Sequence, residues 1–411
     1  MKFTFVSNYI NHHQIPIADL LYGKLGEDYC FIQTEQMEQE RAQMGWNVKR
    51  DLLPYLKCWY EEPDVCGKLV RESEIVVFGG VEDERYIEER LRLGRPVIRY
   101  SERLYREGQW KAVSPRGLLK KYRDHTRYRK KNVWLLCSGA YVASDFHIVR
   151  AYPDRMYQWG YFTETRYYEM EELMSGKPGA SGKPVELLFA GRFLPLKHPE
   201  YPLMLAQRLQ EKGLPFHLTM TGGGELDESL RAQVRENGLQ EKVTFTGYQN
   251  PSEVRGYMER ADIFLMTSNY LEGWGAVINE AMNSGCAVIA DAKIGAVPFL
   301  LKHEKNGMVY ADKNLREFLE YGERLVRDRE LCRHLGRKAY DTIVRLWNPQ
   351  FAAESLLKFA EGILAGKPCY NREGPLSKAA VISPRAGYAY TRAEKSNRWS
   401  EDKTGSGKVE R

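Results

Sequence analysis

From residue 185 onward the chain alternates short apolar runs with amphipathic stretches, and this alternation limits the fold more than any other feature. VELLFAG (185–191) is an apolar run ending in glycine and reads as a buried strand. PEYPLMLAQRLQEKG (199–213) sets Leu205 and Leu209 one turn apart and closes on Gly213, a helix with its C-cap. FHLTMTG (216–222), the helical LDESLRAQVRENG, VTFTG, a helix opening at PSEV (251–254), IFLMTS, a helix around Glu280, CAVIA (286–290) and MVY (308–310) follow in turn. Strands alternating with helices predict a parallel sheet covered on both faces. In such sheets ligands sit beyond the carboxyl ends of the strands.

The first half alternates less cleanly. Strand candidates are KFTFV (2–6), YCFIQ (29–33), EIVVFGG (74–80), RPVIRY (95–100) and VWLLCSG (133–139). A chain of 411 residues exceeds one compact core, so two doubly wound domains are expected. The boundaries fall at 1–165 and 185–346. The polar, Gly/Pro-rich stretch 166–184 reads as a linker, 347–366 as a last amphipathic helix, and 367–411 as a polar, disordered tail. Hydrophobic content of 43% with 28% charged residues is that of a soluble globular protein. Seven cysteines are scattered without a CxxC pair, which suggests neither a zinc site nor a disulfide framework and fits a reducing cytoplasm. The opening MKFTFVSNYI is too poor in apolar residues for a signal peptide, and no apolar run is long enough to span a membrane.

Chemistry concentrates at predicted strand ends. NYLEGWGAVINEAMNSG (269–285) places Glu272, then Gly273, Trp274 and Gly275, then Glu280. The glycines let backbone approach a ligand closely, and the N–H groups of a helix starting near Gly275 suit an anion or an array of hydroxyls. Eight helical positions span about 12 Å, roughly the reach between the two ends of a nucleoside-diphosphate sugar. Two solvated acids at a helix start give the same pattern. AGRFLPLKHPE (190–200) puts Arg192 and Lys197 after a strand end, two cations suited to a diphosphate; a solvated basic loop reads the same way. TGGGE (221–225) adds a further glycine-rich strand end.

Taken together, GR…K, GGGE, VTFTG and EGWGAVINEAMNSGCAVIA resemble the donor-binding half of glycosyltransferase family 4, the glycosyl transferases group 1, with its E-x7-E signature at Glu272 and Glu280. The resemblance is strong over 185–345 and weak before it. It implies a GT-B architecture, two Rossmann-like doubly wound domains facing a central cleft. It implies that Arg192 and Lys197 hold a donor diphosphate, that Glu272 contacts the donor sugar and that Glu280 contacts the ribose. Gly191, Gly223, Trp274, Gly275, Ala276 and Val277 would approach the donor, and Tyr248 beside Gly247 would line the nucleobase. It implies retaining, metal-independent transfer without a cofactor, from a UDP- or GDP-linked sugar. The chain contains no D-x-D motif, in keeping with that expectation.

Two loops depart from the family pattern. SNYINHHQIP (7–16) replaces a Gly-Gly loop and offers Asn11, His12 and His13. RYSERLYREG (99–108) replaces a histidine loop and offers Ser101, Glu102 and Arg103. With CSGAYVASDF they resemble capsule and exopolysaccharide members of the family, which implies a glycan or lipid-linked glycan acceptor in bacterial surface polysaccharide synthesis.

SPRGLLKKYRDHTRYRKK (114–131) gathers basic residues around Leu118, Leu119, Tyr122 and Tyr128 at helical spacing. Such a helix suits the anionic inner face of a cell membrane, or is a domain helix with a solvated basic face. No nucleic-acid module accompanies the charge. The expectation is a cytoplasmic, peripherally bound hexosyltransferase. Its rivals are a nucleotide-sugar epimerase of the same fold and a non-catalytic protein that binds membrane or nucleic acid through 114–131.

Overall fold

The computed structural model describes residues 1–37 and 50–393. The first sheet contains β1 (Phe3–Ser7), β2 (Tyr29–Gln33), β3 (Leu56–Cys58), β4 (Ile75–Gly79), β5 (Val97–Ser101), β6 (Val133–Ser138) and β7 (Met156–Trp159). Its order is β3-β2-β1-β4-β5-β6-β7, every pair parallel. The second contains β8 (Val185–Ala190), β9 (Phe216–Thr221), β10 (Val243–Gly247), β11 (Ile263–Met266), β12 (Ala287–Asp291) and β13 (Met308–Tyr310). Its order is β10-β9-β8-β11-β12-β13, again all parallel. Both sheets are thus doubly wound, and the expected α/β class holds. Strand order reverses between β1 and β4 and between β8 and β11. Those two switch points are where crevices open.

Two strands escape the sequence pattern. β3 is the three-residue LKC at the sheet edge, and β7 is MYQW at the opposite edge. Neither is long enough to show a period. β7 also follows Arg150, Tyr152 and Asp154, each at positive φ, so the approach to it is a series of tight turns.

The segment expected to be a linker is built into the structure. It contains a helix, Met170–Gly176, and Lys177 is buried. The Lys177 ammonium donates to the carbonyls of Met258, Glu259 and Ala261 at 3.3, 3.1 and 2.5 Å, capping the end of helix Pro251–Arg260. A buried lysine costs desolvation unless its donors are met, and three carbonyls meet them.

Residues 367–393 likewise depart from the expected disordered tail, whose remainder, 394–411, lies outside the described residues. Leu376 and Ala379 donate to the carbonyls of Gln158 and Met156, and Gln158 donates to Ser377, so the tail pairs along β7. Helix Gly387–Arg392 then packs beside β13, where Tyr388 donates to Glu317 at 2.7 Å and the Thr391 carbonyl accepts from His303. The polar composition concealed a few buried anchors, Leu376, Ile382 and Thr391.

Helix Pro349–Leu364 lies on helix Ile15–Leu25 of the first half, with the Phe359 ring edge-on to Trp134 and Tyr157. One buried apolar cluster therefore runs from Phe3 and Trp159 through Phe359 to Trp274 and Val288, joining both sheets. Further clusters cover the opposite face of each.

Candidate functional site

At the β8/β11 switch point the two sequence stretches with chemistry become neighbours. The loop after β8 carries Arg192, exposed, and Lys197, half-buried in the turn Pro195–Lys197. It is fastened to the loop after β11: Asn269 N–H donates to Leu196 O at 2.9 Å, and Thr267 Oγ1 to Lys197 O at 2.6 Å. Asn269 also shapes the next turn, accepting from Leu271 on its side chain and from Glu272 on its carbonyl. Lys197 Nζ and the Glu272 carboxylate consequently form an ion pair. Close loop stacking requires glycine here. A Cβ on Gly222, which has φ +132, would meet Gly191 O at 2.0 Å. Gly223 lies under the Tyr248 ring, where a Cβ would be 2.8 Å away, and Tyr248 itself is 60% exposed.

The turn after Glu272 leads into helix Val277–Asn283, two residues later than the sequence suggests. Gly275 adopts φ +88, a conformation open to glycine at no steric cost. Trp274 is 2% exposed, against Gly160, Phe299 and Trp347, and its indole donates to Asn279 Oδ1 at 2.9 Å. Its ring is thus a core group, and its carbonyl accepts from Ala296 N–H at 3.1 Å. Ala276 and Val277 keep partial exposure at the helix start. Glu280 retains some exposure too, but burial pushes its carboxyl up to about 7, opposed by Arg255 and Arg166 and reinforced by Glu164. Of the groups acting on it, Arg166 and Glu164 lie just before or within the segment that joins the domains.

On the first domain, the β1/β4 switch point is organised by a buried polar network. Ser7 Oγ and Tyr100 Oη are 2.6 Å apart, and Gln14 Nε2 donates to both, at 3.2 and 3.4 Å. This fixes the loop carrying Asn11, His12 and His13. Asn11 Oδ1 accepts from His13 N–H at 3.0 Å, and the two imidazoles are 3.8 Å apart. Burial lowers His12 to about 4 and holds His13 well below the usual imidazole range, with His12 adding to the effect, so both are neutral near pH 7. Ser101 Oγ turns back to Glu102 O at 2.7 Å. Arg103 turns away into a buried pair with Asp145. Glu102 pairs with Arg106 and accepts from Tyr161 Oη at 2.6 Å.

The domains meet at glycines. A Cβ on Gly273 would sit 2.5 Å from Glu102 Oε2, and one on Gly295 would be 1.8 Å from Gly273 O. Ala140 N–H donates to Gly295 O at 2.9 Å, and Tyr141 Oη to Ala292 O. The structure therefore brings Lys197, Glu272, Gly273 and Glu102 together. It places His13 beside Tyr161, with ring centroids 6.2 Å apart. Tyr161 and Asn279 were missed by sequence reasoning. Asn279 lies inside the signature and was readable there; Tyr161 follows the unrecognised β7 and carries no local signal.

Two doubly wound Rossmann-like domains meeting at their strand-end loops define the GT-B fold. Residues 170–342 match the family model for glycosyl transferases group 1. Among relatives, a GDP-mannose-dependent alpha-(1-6)-phosphatidylinositol monomannoside mannosyltransferase of Mycobacterium tuberculosis is 28% identical over 35% of this chain and 39% of its own. The putative colanic acid biosynthesis glycosyltransferase WcaL of Escherichia coli is 25% identical over 33% of this chain and 35% of its own. The chain spans less than half the length of the curated relatives it matches. In fold it is similar to Anabaena HepE, solved with UDP, at TM-score 0.64 and 14% identity over 88% of this chain and 100% of that one. The lipopolysaccharide outer core galactosyltransferase WaaB gives TM-score 0.64 and 15% identity over 89% and 99%.

Proposed function

We propose that the chain is a retaining, metal-independent glycosyltransferase. It moves a hexose from a UDP- or GDP-linked donor to a glycan or lipid-linked glycan acceptor in bacterial surface polysaccharide synthesis. The observation that carries this reading is the Lys197–Glu272 ion pair at the switch point of the second sheet. In the free protein each charge satisfies the other. An arriving donor exchanges both partners: the diphosphate takes Lys197 and Arg192, and sugar hydroxyls donate to Glu272. As the glycosidic bond breaks, the two cations stabilise charge growing on the leaving diphosphate. A phosphate oxygen takes the acceptor proton during front-face attack. Glu280 accepts from the ribose hydroxyls, and Tyr248 over Gly223 forms a wall for the base. The N–H groups around Gly275 to Val277 face the sugar and phosphate.

Relatives named for colanic acid and amylovoran biosynthesis support the acceptor class. A peripheral position on the inner membrane face is supported by helix Pro115–Asp124 and the turn before it. There Trp110, Val113 and Leu119 are 70, 77 and 68% exposed among basic residues. Only part of the expected basic stretch is this helix: Tyr128 falls outside it and is buried. Among the described residues no helix is long and apolar enough to cross a membrane.

The test is nucleotide release from a panel of UDP- and GDP-hexoses, with and without EDTA, and proton NMR of the product anomer. Release indifferent to EDTA with a retained anomer supports the proposal. An inverted product removes the retaining mechanism. Conversion of the donor sugar with the nucleotide still attached would favour an epimerase.

A further inference from the structure

We infer that Tyr161 is a positioning residue that holds the Glu102 carboxylate of the first domain against the Glu272 turn of the second. The inference rests on the transferase reading and adds a residue that lies in no motif. Tyr161 lies two residues past β7, yet it touches the loops after β1, β5 and β11. Its Oη donates to Glu102 Oε1 at 2.6 Å. Its carbonyl accepts from Asn279 Nδ2 at 3.3 Å, while Asn279 Oδ1 takes the Trp274 indole proton at 2.9 Å. Its ring is edge-on to Trp274 at 6.4 Å and 6.2 Å from His13.

Each end of this chain of contacts is constrained. Asn279 is committed at both ends of its amide, which fixes the indole and, with it, the turn that bears Glu272. Gly160, just before Tyr161, lies against the same indole, where a Cβ would be 2.2 Å from it. At the other end, Glu102 has one partner on each carboxylate oxygen. Arg106, 43% exposed, pairs with Oε2, the oxygen nearest Gly273, and the Tyr161 hydroxyl donates to Oε1. A hydrogen bond to a carboxylate is short and strong. Only glycine at 273 leaves room for the carboxylate so placed. Without the hydroxyl, the exposed Arg106 pair on Oε2 is the remaining hold, and the carboxylate loses its fixed orientation against the Glu272 turn. In the transferase reading, that turn holds the donor sugar and Glu102 faces the incoming nucleophile. Tyr161 therefore sets the geometry of attack without adding to donor affinity.

The experiment compares wild type, Tyr161→Phe, Glu102→Ala and the double variant. It measures nucleotide release to water from whichever UDP- or GDP-hexose the wild type turns over fastest, alongside binding of the free nucleoside diphosphate. Phe keeps the ring contacts with Trp274 and His13. The expected result is a fall in kcat of about tenfold in each single variant, with nucleotide Kd within about twofold. The double variant should be no worse than either single, since both remove one unit. Unchanged kcat in Tyr161→Phe would overturn the inference and leave the transferase reading standing. Losses that multiply in the double variant, or that appear equally in Kd, would also overturn it, since they describe a structural role. A wild type that turns over no nucleotide sugar would sink the transferase reading, and this inference with it. Should Tyr161→Phe fail to fold, Glu102→Ala decides alone, through the same split between kcat and Kd.

Discussion

The two domains share a topology and differ in how they build their half of the cleft. The second draws its groups from two contiguous stretches, 191–200 and 269–280, each directly after a strand at the switch point. The first draws on residues far apart in sequence: Ser7, Gln14 and Tyr100 order one loop, and Glu102 is held by Tyr161 from beyond the last strand. A diphosphate asks for fixed charges at a strand end, and local sequence can encode that. An acceptor asks for a surface, and tertiary packing assembles it.

If the domains cooperate through a common core, the joining contacts should dominate stability. Phe359→Ala removes a ring packed on Trp134 and Tyr157; chemical denaturation should give a loss of about 3–5 kcal/mol. Leu376→Ala, fully buried where the tail pairs with β7, should cost about 2–5 kcal/mol by the same measurement. A disordered tail would give no change.

The comparison predicts unequal catalytic losses next. Lys197→Ala should lower kcat by roughly a hundredfold or more, as expected for a group that stabilises transition-state charge. This exceeds the tenfold effect expected on the Glu102 side. Equal losses would break the contrast between a charge-fixing domain and a positioning one.

Glu280 sharpens the contrast through pH. Its carboxyl holds a proton more tightly folded than unfolded, rising from 4.5 to about 7. The resulting stability is full below about pH 4.5 and is lost as pH rises through 7. Glu280→Gln should therefore be neutral near pH 4 and stabilising at pH 8, by no more than about 3 kcal/mol. Hydrogen bonds from ribose favour the carboxylate, so wild-type nucleotide affinity should fall as pH drops below 7, and titration calorimetry at several pH values measures it. The smallest effect is at the surface: Leu119→Glu should weaken co-sedimentation with anionic vesicles severalfold, with nucleotide binding intact.

Much of the fold was legible because buried parallel strands are apolar runs, often bounded by glycine. β4, β6, β8, β9, β10 and β13 end at or adjoin a glycine, while β1, β2 and β11 were legible from their apolar runs alone. β3 and β7, three and four residues at sheet edges, carry too little pattern to register. The buried Lys177 was read as linker, since nothing local reveals three carbonyls waiting elsewhere in the chain. In the site, Lys197 and Glu272 were readable from their strand-end loops, though their pairing was not. For Trp274 the family resemblance spoke of the backbone and said nothing of the ring. The indole fills the core, and the glycines serve close packing between domains.

The most direct measurement is nucleotide binding by thermal shift, with UDP, GDP, ADP and CMP on wild type and Glu280→Ala, each with and without EDTA. At a hundredfold excess over Kd a ligand specific to the native state adds about 2.7 kcal/mol. The account predicts a shift with UDP or GDP, unaffected by EDTA and lost in the variant. No shift with any of the four would contradict it.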